Sequence, residues 1–370
     1  MVECGDEVGG LYSNITDKNQ TNIYYTNYIY GEYMGETVNK SKIAEQIGIR
    51  IFKSLFWEIC PPTNINFSCS CPRPKEKIDK NKDKVYHNNR GTHPMDASFT
   101  YIDPYLGRRI YLNTDFKSYS RSSIQPSQIK DDLTSLSETI SCAQDSDDWA
   151  KYVGCIDQIK EVRGLFFLYN SDYEYKHDIN YIFSKIDIGK IPLEKNQYIH
   201  FLDPLTINRI YSMVRDLENL KNDLYDEYSF FYPNHRLSKN VISNTFNPPL
   251  PCTIEMACSP YTVIKYRKAD IEGFLIYYNE KGDTKEEFLY LFDYLTSVQI
   301  PFDVNLKIRA TNVNVSNLIA NNFLIAKKTY LQDWNFSDSI VESLKGLEIE
   351  IIDQNTPNFI KTLQGWEELQ

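Results

Sequence analysis

Asp96, Asp115 and Lys117 are the residues of this chain whose types and spacing could do chemistry together. They lie in the stretch HPMDASFTYIDPYLGRRIYLNTDFKSY, from His93 to Tyr119. Two runs rich in Phe, Tyr, Ile, Leu and Thr flank a turn cluster, Asp103-Pro104-Tyr105-Leu106-Gly107, which predicts a β-hairpin. A four-residue loop from Pro104 to Gly107 sets Asp103 opposite Arg108 and, by the same register, Asp96 opposite Asp115. Ala97, Phe99, Tyr101, Ile110, Leu112, Thr114 and Phe116 then share one face. Asp96, Ser98, Thr100, Ile102, Arg109, Tyr111, Asn113, Asp115 and Lys117 share the other, the alternation expected of a half-buried sheet. Facing Cβ atoms lie about 4.5–5.5 Å apart, and like charges there destabilise the pairing. A divalent cation offsets them, because hard cations take carboxylate oxygens. Two carboxylates with a lysine on the same polar face suit metal-assisted attack of water on a phosphodiester. An exposed hairpin with solvated charges is the plain alternative.

The same residues carry a resemblance. Asp96, a turn, then Asp115-Phe116-Lys117 resembles the PD-(D/E)xK nuclease superfamily over roughly residues 37–170. Pro94-Met95-Asp96 departs slightly, with one residue between the proline and the aspartate. The resemblance implies a restriction-endonuclease-like αβββαβ core of the α/β class. It also implies a Mg²⁺- or Mn²⁺-dependent endonuclease acting on nucleic acid, DNA more than RNA, with a role in antiphage defence. In that reading Asp96, Asp115, a helix glutamate and the Phe116 backbone carbonyl bind the metal, and Lys117 positions the attacking water. A nuclease-fold subunit that binds nucleic acid or a partner protein without cutting is the alternative from a different class. A third is a structural protein carrying the motif by chance.

Other elements must position these residues. Ile43, Ile47, Ile51 and Leu55, widened by Ala44, Phe52 and Phe56, predict a helix over 38–59 that Pro61-Pro62 would end. Glu45 lies at the edge of its apolar face and is the best-placed helix glutamate, with Glu36 and Glu58 behind it. Asn64 to Cys71 is the expected first strand. After Lys117, helices over 127–142 and 147–162 lead into a buried strand, GLFFLYN, over 164–170. Farther on, the pattern predicts a strand over 197–201 and a helix over 205–228. Strands over 253–256, 263–266 and 273–278, a helix over 285–298, a strand over 304–309, a helix over 315–330 and a strand over 347–352 follow. This half is a C-terminal α+β domain without a nucleotide loop, zinc-protease motif or nucleophile elbow.

The 370-residue length implies more than one domain. The expected division is an arm (1–36), a nuclease domain (37–185), a helical connector (186–245) and an interaction or regulatory domain (246–370). The last would engage a second copy or a partner protein. Net charge is −10, yet residues 36–130 hold 16 Lys and Arg against 9 Asp and Glu, a local +7 against −17 elsewhere. That basic segment, with its lysine-rich tract from Lys75 to Gly91, suits a nucleic-acid backbone. Eight cysteines in a chain of this length make no disulfide framework. Cys60 and Cys69-Ser70-Cys71, with His87 and His93, lack paired zinc spacing and read as buried thiols. No signal peptide or membrane span is evident, so a soluble, cytoplasmic protein is expected.

Overall fold

The computed structural model describes residues 36–69, 91–155, 160–177, 179–234, 242–303, 305–334 and 336–355. The tyrosine-rich arm, the lysine-rich tract, Cys71 and His87 lie outside them, as do the side chains of 36–41.

Helix α1 (Glu36–Ser54) forms on the apolar period read from the sequence, and Ala44, Ile47, Ile51, Phe52 and Leu55 are buried. It ends well before Pro61-Pro62. Phe56 takes a left-handed conformation (φ 59°), and the Trp57 N–H returns to the Phe52 carbonyl at 2.9 Å. The Trp57 ring stacks on Phe52, and its indole N–H donates to the Cys252 carbonyl at 2.6 Å. The chain then leaves as strand β1 (Glu58–Cys60), the first strand of the main sheet. The segment expected to supply that strand instead gives β2 (Ile65–Ser68), which pairs only with β3 (Thr92–Met95) in a separate ribbon.

Strands β4 (Ala97–Asp103) and β5 (Arg108–Tyr119) form the expected hairpin with Asp103 opposite Arg108. Asp103 closes the loop by accepting from the Tyr105 and Leu106 N–H groups at 2.8 and 2.9 Å. The hairpin is not half-buried, however. Its polar face, Ser98, Thr100, Tyr111 and Asn113, is also inaccessible. Helix α2 (Pro126–Asp145) and the short α3 (Asp147–Tyr152) cover it, and the Trp149 indole N–H reaches the Asn113 side-chain oxygen at 3.3 Å. The second helix stops at Tyr152 rather than running to Val162, because β6 (Val162–Asn170) takes up the chain there and is buried along its whole length. After α4 (Ile179–Phe183), strand β7 (Ile199–Leu202) completes a sheet of order β1-β4-β5-β6-β7. Its first two pairings are antiparallel and its last two parallel.

Helix α5 (Pro204–Leu220) opens on an Asp203 cap and is shorter than the expected 205–228. Asn222 (φ 70°) turns the chain, and β8 (Glu227–Phe230) pairs with β9 (Tyr261–Lys268). Residues 253–256, read as a strand, form instead the short helix α6 (Ile254–Ala257). The Thr253 hydroxyl caps it by accepting from the Met256 N–H at 3.2 Å. Strand β10 (Ile271–Tyr278), helix α7 (Lys285–Ser297), β11 (Leu306–Thr311), α8 (Ile319–Asp333), α9 (Asp338–Gly346) and β12 (Ile349–Ile352) follow. The second sheet runs β8-β9-β10-β11-β12, again antiparallel, antiparallel, parallel, parallel. Both halves therefore follow one plan: a helix, a strand, a hairpin, then helices alternating with parallel strands.

Helices α1 and α5 share one continuous core with both sheets, from Leu165 and Phe167 on one side to Leu275 and Tyr277 on the other. Asp216 on α5 ties in the second sheet, accepting from the Tyr277 hydroxyl at 2.7 Å and from the Arg309 guanidinium at 3.0 Å. A close fit lies at Gly48, where an added Cβ would lie 2.4 Å from the Phe116 ring. That ring packs edge-on against Phe99 and Phe167, with centroids 6.4 and 5.2 Å away. Gly48→Val is expected to lower stability by about 1–3 kcal/mol through overpacking. Urea denaturation checks this, and an unchanged midpoint would contradict the fit described.

Candidate active site

The hairpin register places Asp96 and Asp115 where the strand ladder gives way to side-chain contacts. Thr114 pairs with Ala97, and one residue farther on an Asp96 carboxylate oxygen accepts the Phe116 backbone N–H at 2.8 Å. In an extended residue the N–H and C=O point to the same strand edge. The Phe116 carbonyl therefore faces the Asp96 edge as well. Asp115 and Lys117 project together to the α2 side, opposite Phe116, and the Lys117 ammonium is ion-paired with the Asp115 carboxylate. All three residues lie toward the carboxyl ends of the parallel strands β5 and β6, where open α/β sheets bind ligands.

The electrostatics follow from this crowding. Burial, reinforced by the Asp115 charge, pushes the Asp96 carboxyl up to about 7, against the opposing Phe116 N–H bond. Burial works to lower the Lys117 pKa, but the charges of Asp115, Asp96 and Asp132 outweigh it and raise it. Burial also raises the Asp132 carboxyl, against the Tyr119 hydrogen bond and the Lys117 charge.

Glu45 reaches this cluster through Asn64. Its carboxylate oxygens lie 3.3 and 3.4 Å from the Asn64 side-chain amide, and the Asn64 backbone N–H donates to the Asp96 carbonyl at 2.7 Å. Asn64 holds a left-handed conformation (φ 54°), which asparagine tolerates better than most residues. The fallback Glu58 is on β1, exposed and paired with Arg109, apart from the cluster. Glu36 falls where side chains are not described.

Sequence reasoning missed Asn64, Tyr119, Gln128 and Asp132. Tyr119 continues the alternation of Asp115 and Lys117, so the strand period alone could have found it. Its hydroxyl donates to Asp132 on α2 at 2.9 Å, and the Gln128 amide donates to the other Asp132 oxygen at 3.1 Å. The 128/132 spacing gives one polar edge of α2, but nothing local says that it overlies β5.

The donor set consists of hard oxygens, and a like-charged pair is held at close range by the strand register. Both features are of the kind a divalent cation would take. The family model for the GAPS4 protein PD-(D/E)XK nuclease domain matches residues 34–206. No curated protein and no solved structure matches the chain significantly.

The raised Asp96 pKa has a sign. Below the ordinary carboxylate value of 3.8, folded and unfolded chains are both protonated and nothing is lost. As pH rises toward 7 the unfolded chain releases the proton while the folded one retains it, so the metal-free protein loses stability through that window. Asp96→Asn removes the loss. With chelator present, its melting temperature should match wild type near pH 4 and exceed it increasingly up to pH 7–8. A difference that does not change with pH would refute the assignment.

Proposed function

We propose that this PD-(D/E)xK domain is a divalent-metal-dependent endonuclease that hydrolyses phosphodiester bonds, with DNA favoured over RNA and antiphage defence as its setting. The observation that carries the reading is the pair of carboxylates on adjacent strands with Lys117 on the same face. The match to the GAPS4 nuclease domain, a defence-associated family, supports it, as does the local +7 charge of residues 36–130. Among the described residues no helix is long and apolar enough to cross a membrane.

Asp96, Asp115, Glu45 and the Phe116 carbonyl would hold Mg²⁺ or Mn²⁺. When bound, such an ion supplies Lewis-acid polarisation of the scissile phosphate and lowers the pKa of a coordinated water. The protein's own contribution is positional. The Phe116 N–H orients the Asp96 carboxylate, and Asn64 orients Glu45. Lys117, kept charged by three carboxylates, directs N–H donors toward the attacking water and offsets charge developing on the phosphate. Tyr119 and Gln128 brace Asp132, which sets part of the field at Lys117.

The second half is proposed to engage protein, either its own copy or a partner. It presents Tyr290, Leu318, Leu324 and Trp334 to solvent. At the positions on β10 that face α7, as Asp115 and Lys117 face α2, it carries Ile276 and Tyr278.

Cleavage of plasmid, linear and single-stranded DNA and of RNA, with and without Mg²⁺, tests the activity. Asp115→Ala should abolish metal binding and cleavage without unfolding the sheet. Lys117→Ala should leave metal binding largely intact and lower turnover by roughly 10²–10⁴-fold. Wild-type cleavage by folded Asp115→Ala protein would sink the site assignment. For the second half, light scattering should show a dimer or larger species, or a complex with a co-purified protein. A strict monomer, together with DNA retention by the C-terminal half, would count against that role.

A further inference from the structure

The ribbon of β2 and β3 carries a second cluster of potential ligands, chemically unlike the first. Cys69 follows β2, His93 lies in β3 and Cys142 comes from the last turns of α2. Their ligand atoms all lie within 4.8 Å of one another. His93 and Cys142 are each 1 % exposed, and Cys69 is half-buried. Both cysteines are thiols.

We propose that Cys69, His93 and Cys142 bind a zinc ion that clamps the ribbon onto α2. Buried cysteines are common as small apolar residues, and that explains Cys60 and Cys252 well. It does not explain two thiols and an imidazole from three separate elements converging on one point. Zinc–sulfur and zinc–nitrogen distances of about 2.3 and 2.0–2.1 Å put tetrahedral ligand atoms about 3.5–3.8 Å apart. Ion entry therefore needs a contraction of at most about 1 Å, within the reach of side-chain torsions. On binding, the Cys69 and Cys142 S–H bonds break, their protons pass to solvent, and two zinc–thiolate bonds form. His93 contributes the lone pair of a neutral ring nitrogen. Soft donors select zinc here, while the carboxylates of the active site select a hard cation.

The place of the cluster gives the ion a role. The ribbon belongs to neither five-stranded sheet. Its attachments include the Phe67 and Met95 side chains and the 2.7 Å bond from the Ser68 N–H to Asp148. His93 precedes Asp96 by one short stretch of strand, so fixing His93 on α2 also fixes the backbone that presents the catalytic carboxylate. With water in the fourth tetrahedral position the ion serves as a clamp, and its binding is independent of the nuclease assignment.

Full-length Asp115→Ala protein, in which the carboxylate site is disabled, isolates the proposed centre. Metal analysis should find about one zinc per chain, and X-ray absorption should give sulfur neighbours near 2.3 Å with a nitrogen near 2.0 Å. Replacement by Co²⁺ should produce thiolate-to-cobalt charge-transfer absorption, which carboxylate-bound Co²⁺ does not give. Chelation should lower the melting temperature, and adding Cys142→Ser should remove both the zinc and that response. Because Cys142 is buried and its variant could fold poorly, thiol titration of the unaltered cysteines gives a second reading. Cys69 and Cys142 should resist a thiol reagent until chelator is added. Protein that takes up neither zinc nor Co²⁺, or a charge-transfer band that survives in folded Cys69→Ser/Cys142→Ser protein, would overturn the proposal. A Cys69–Cys142 disulfide in freshly isolated protein would do so equally.

Discussion

The alternation of Asp115, Phe116 and Lys117 along β5 is the constraint on which the site depends. Strand geometry sends adjacent side chains to opposite faces, so anchoring one residue aims its neighbours. Phe116 is anchored firmly, against the Gly48 backbone of α1 and among Phe99 and Phe167. With that ring fixed, Asp115 and Lys117 can only project toward α2. The Phe116 N–H then recruits Asp96 to complete the constellation. Packing on one face of a strand thus preorganises charge on the other, and the like-charge repulsion between the aspartates is sustained by the aromatic core beneath them.

Sheet faces that are apolar on both sides need helices on both sides. In the first sheet α1 and α5 cover one face, and α2 with α3 covers the other. The same α1/α5 layer also closes the inner face of the second sheet, while α7 and α8 close its outer face. The two sheets repeat one order of antiparallel and parallel pairings, yet the helix-facing positions of the central hairpin differ, charged on β5 and apolar or aromatic on β10. The plan that positions the carboxylates is therefore used twice, once with a site and once with Ile276 and Tyr278 packed into a core.

The buried polar face of the hairpin shows why a lysine and carboxylates tolerate partial enclosure. Asn113 satisfies the Trp149 indole, the Thr100 hydroxyl donates to the Ile110 carbonyl at 2.8 Å, and Asp132 accepts from Tyr119 and Gln128. Buried polar groups persist where hydrogen bonds compensate their lost hydration. Asp96, one of the groups left with an excess of like charge, is the one whose proton affinity rises most clearly toward neutrality.

Local pattern alone determined much of this protein. The hairpin register follows from a loop length and an alternating face, both properties of neighbouring residues. The apolar stripe of α1, the stripe Ile129, Leu133, Leu136 and Ile140 of α2, and the apolar run of β6 are equally local. From them came the helix, hairpin, helix and strand of the first half and the grouping of Asp96, Asp115 and Lys117, whereas the αβββαβ order rested on the resemblance with Asn64–Cys71 as its first strand. Only the tertiary structure decided where α1 stops, because Trp57 stacks on Phe52 and bonds Cys252, which is remote in sequence. Only it showed that Glu58–Cys60, rather than Asn64–Cys71, joins the sheet, since short strands are chosen by the partner edge that accepts them. Asp132 over Tyr119, Asn64 between Glu45 and Asp96, and Cys142 beside Cys69 and His93 are contacts between elements far apart in the chain. Periodicity specifies which face of each element is buried; it carries no information on which element covers it.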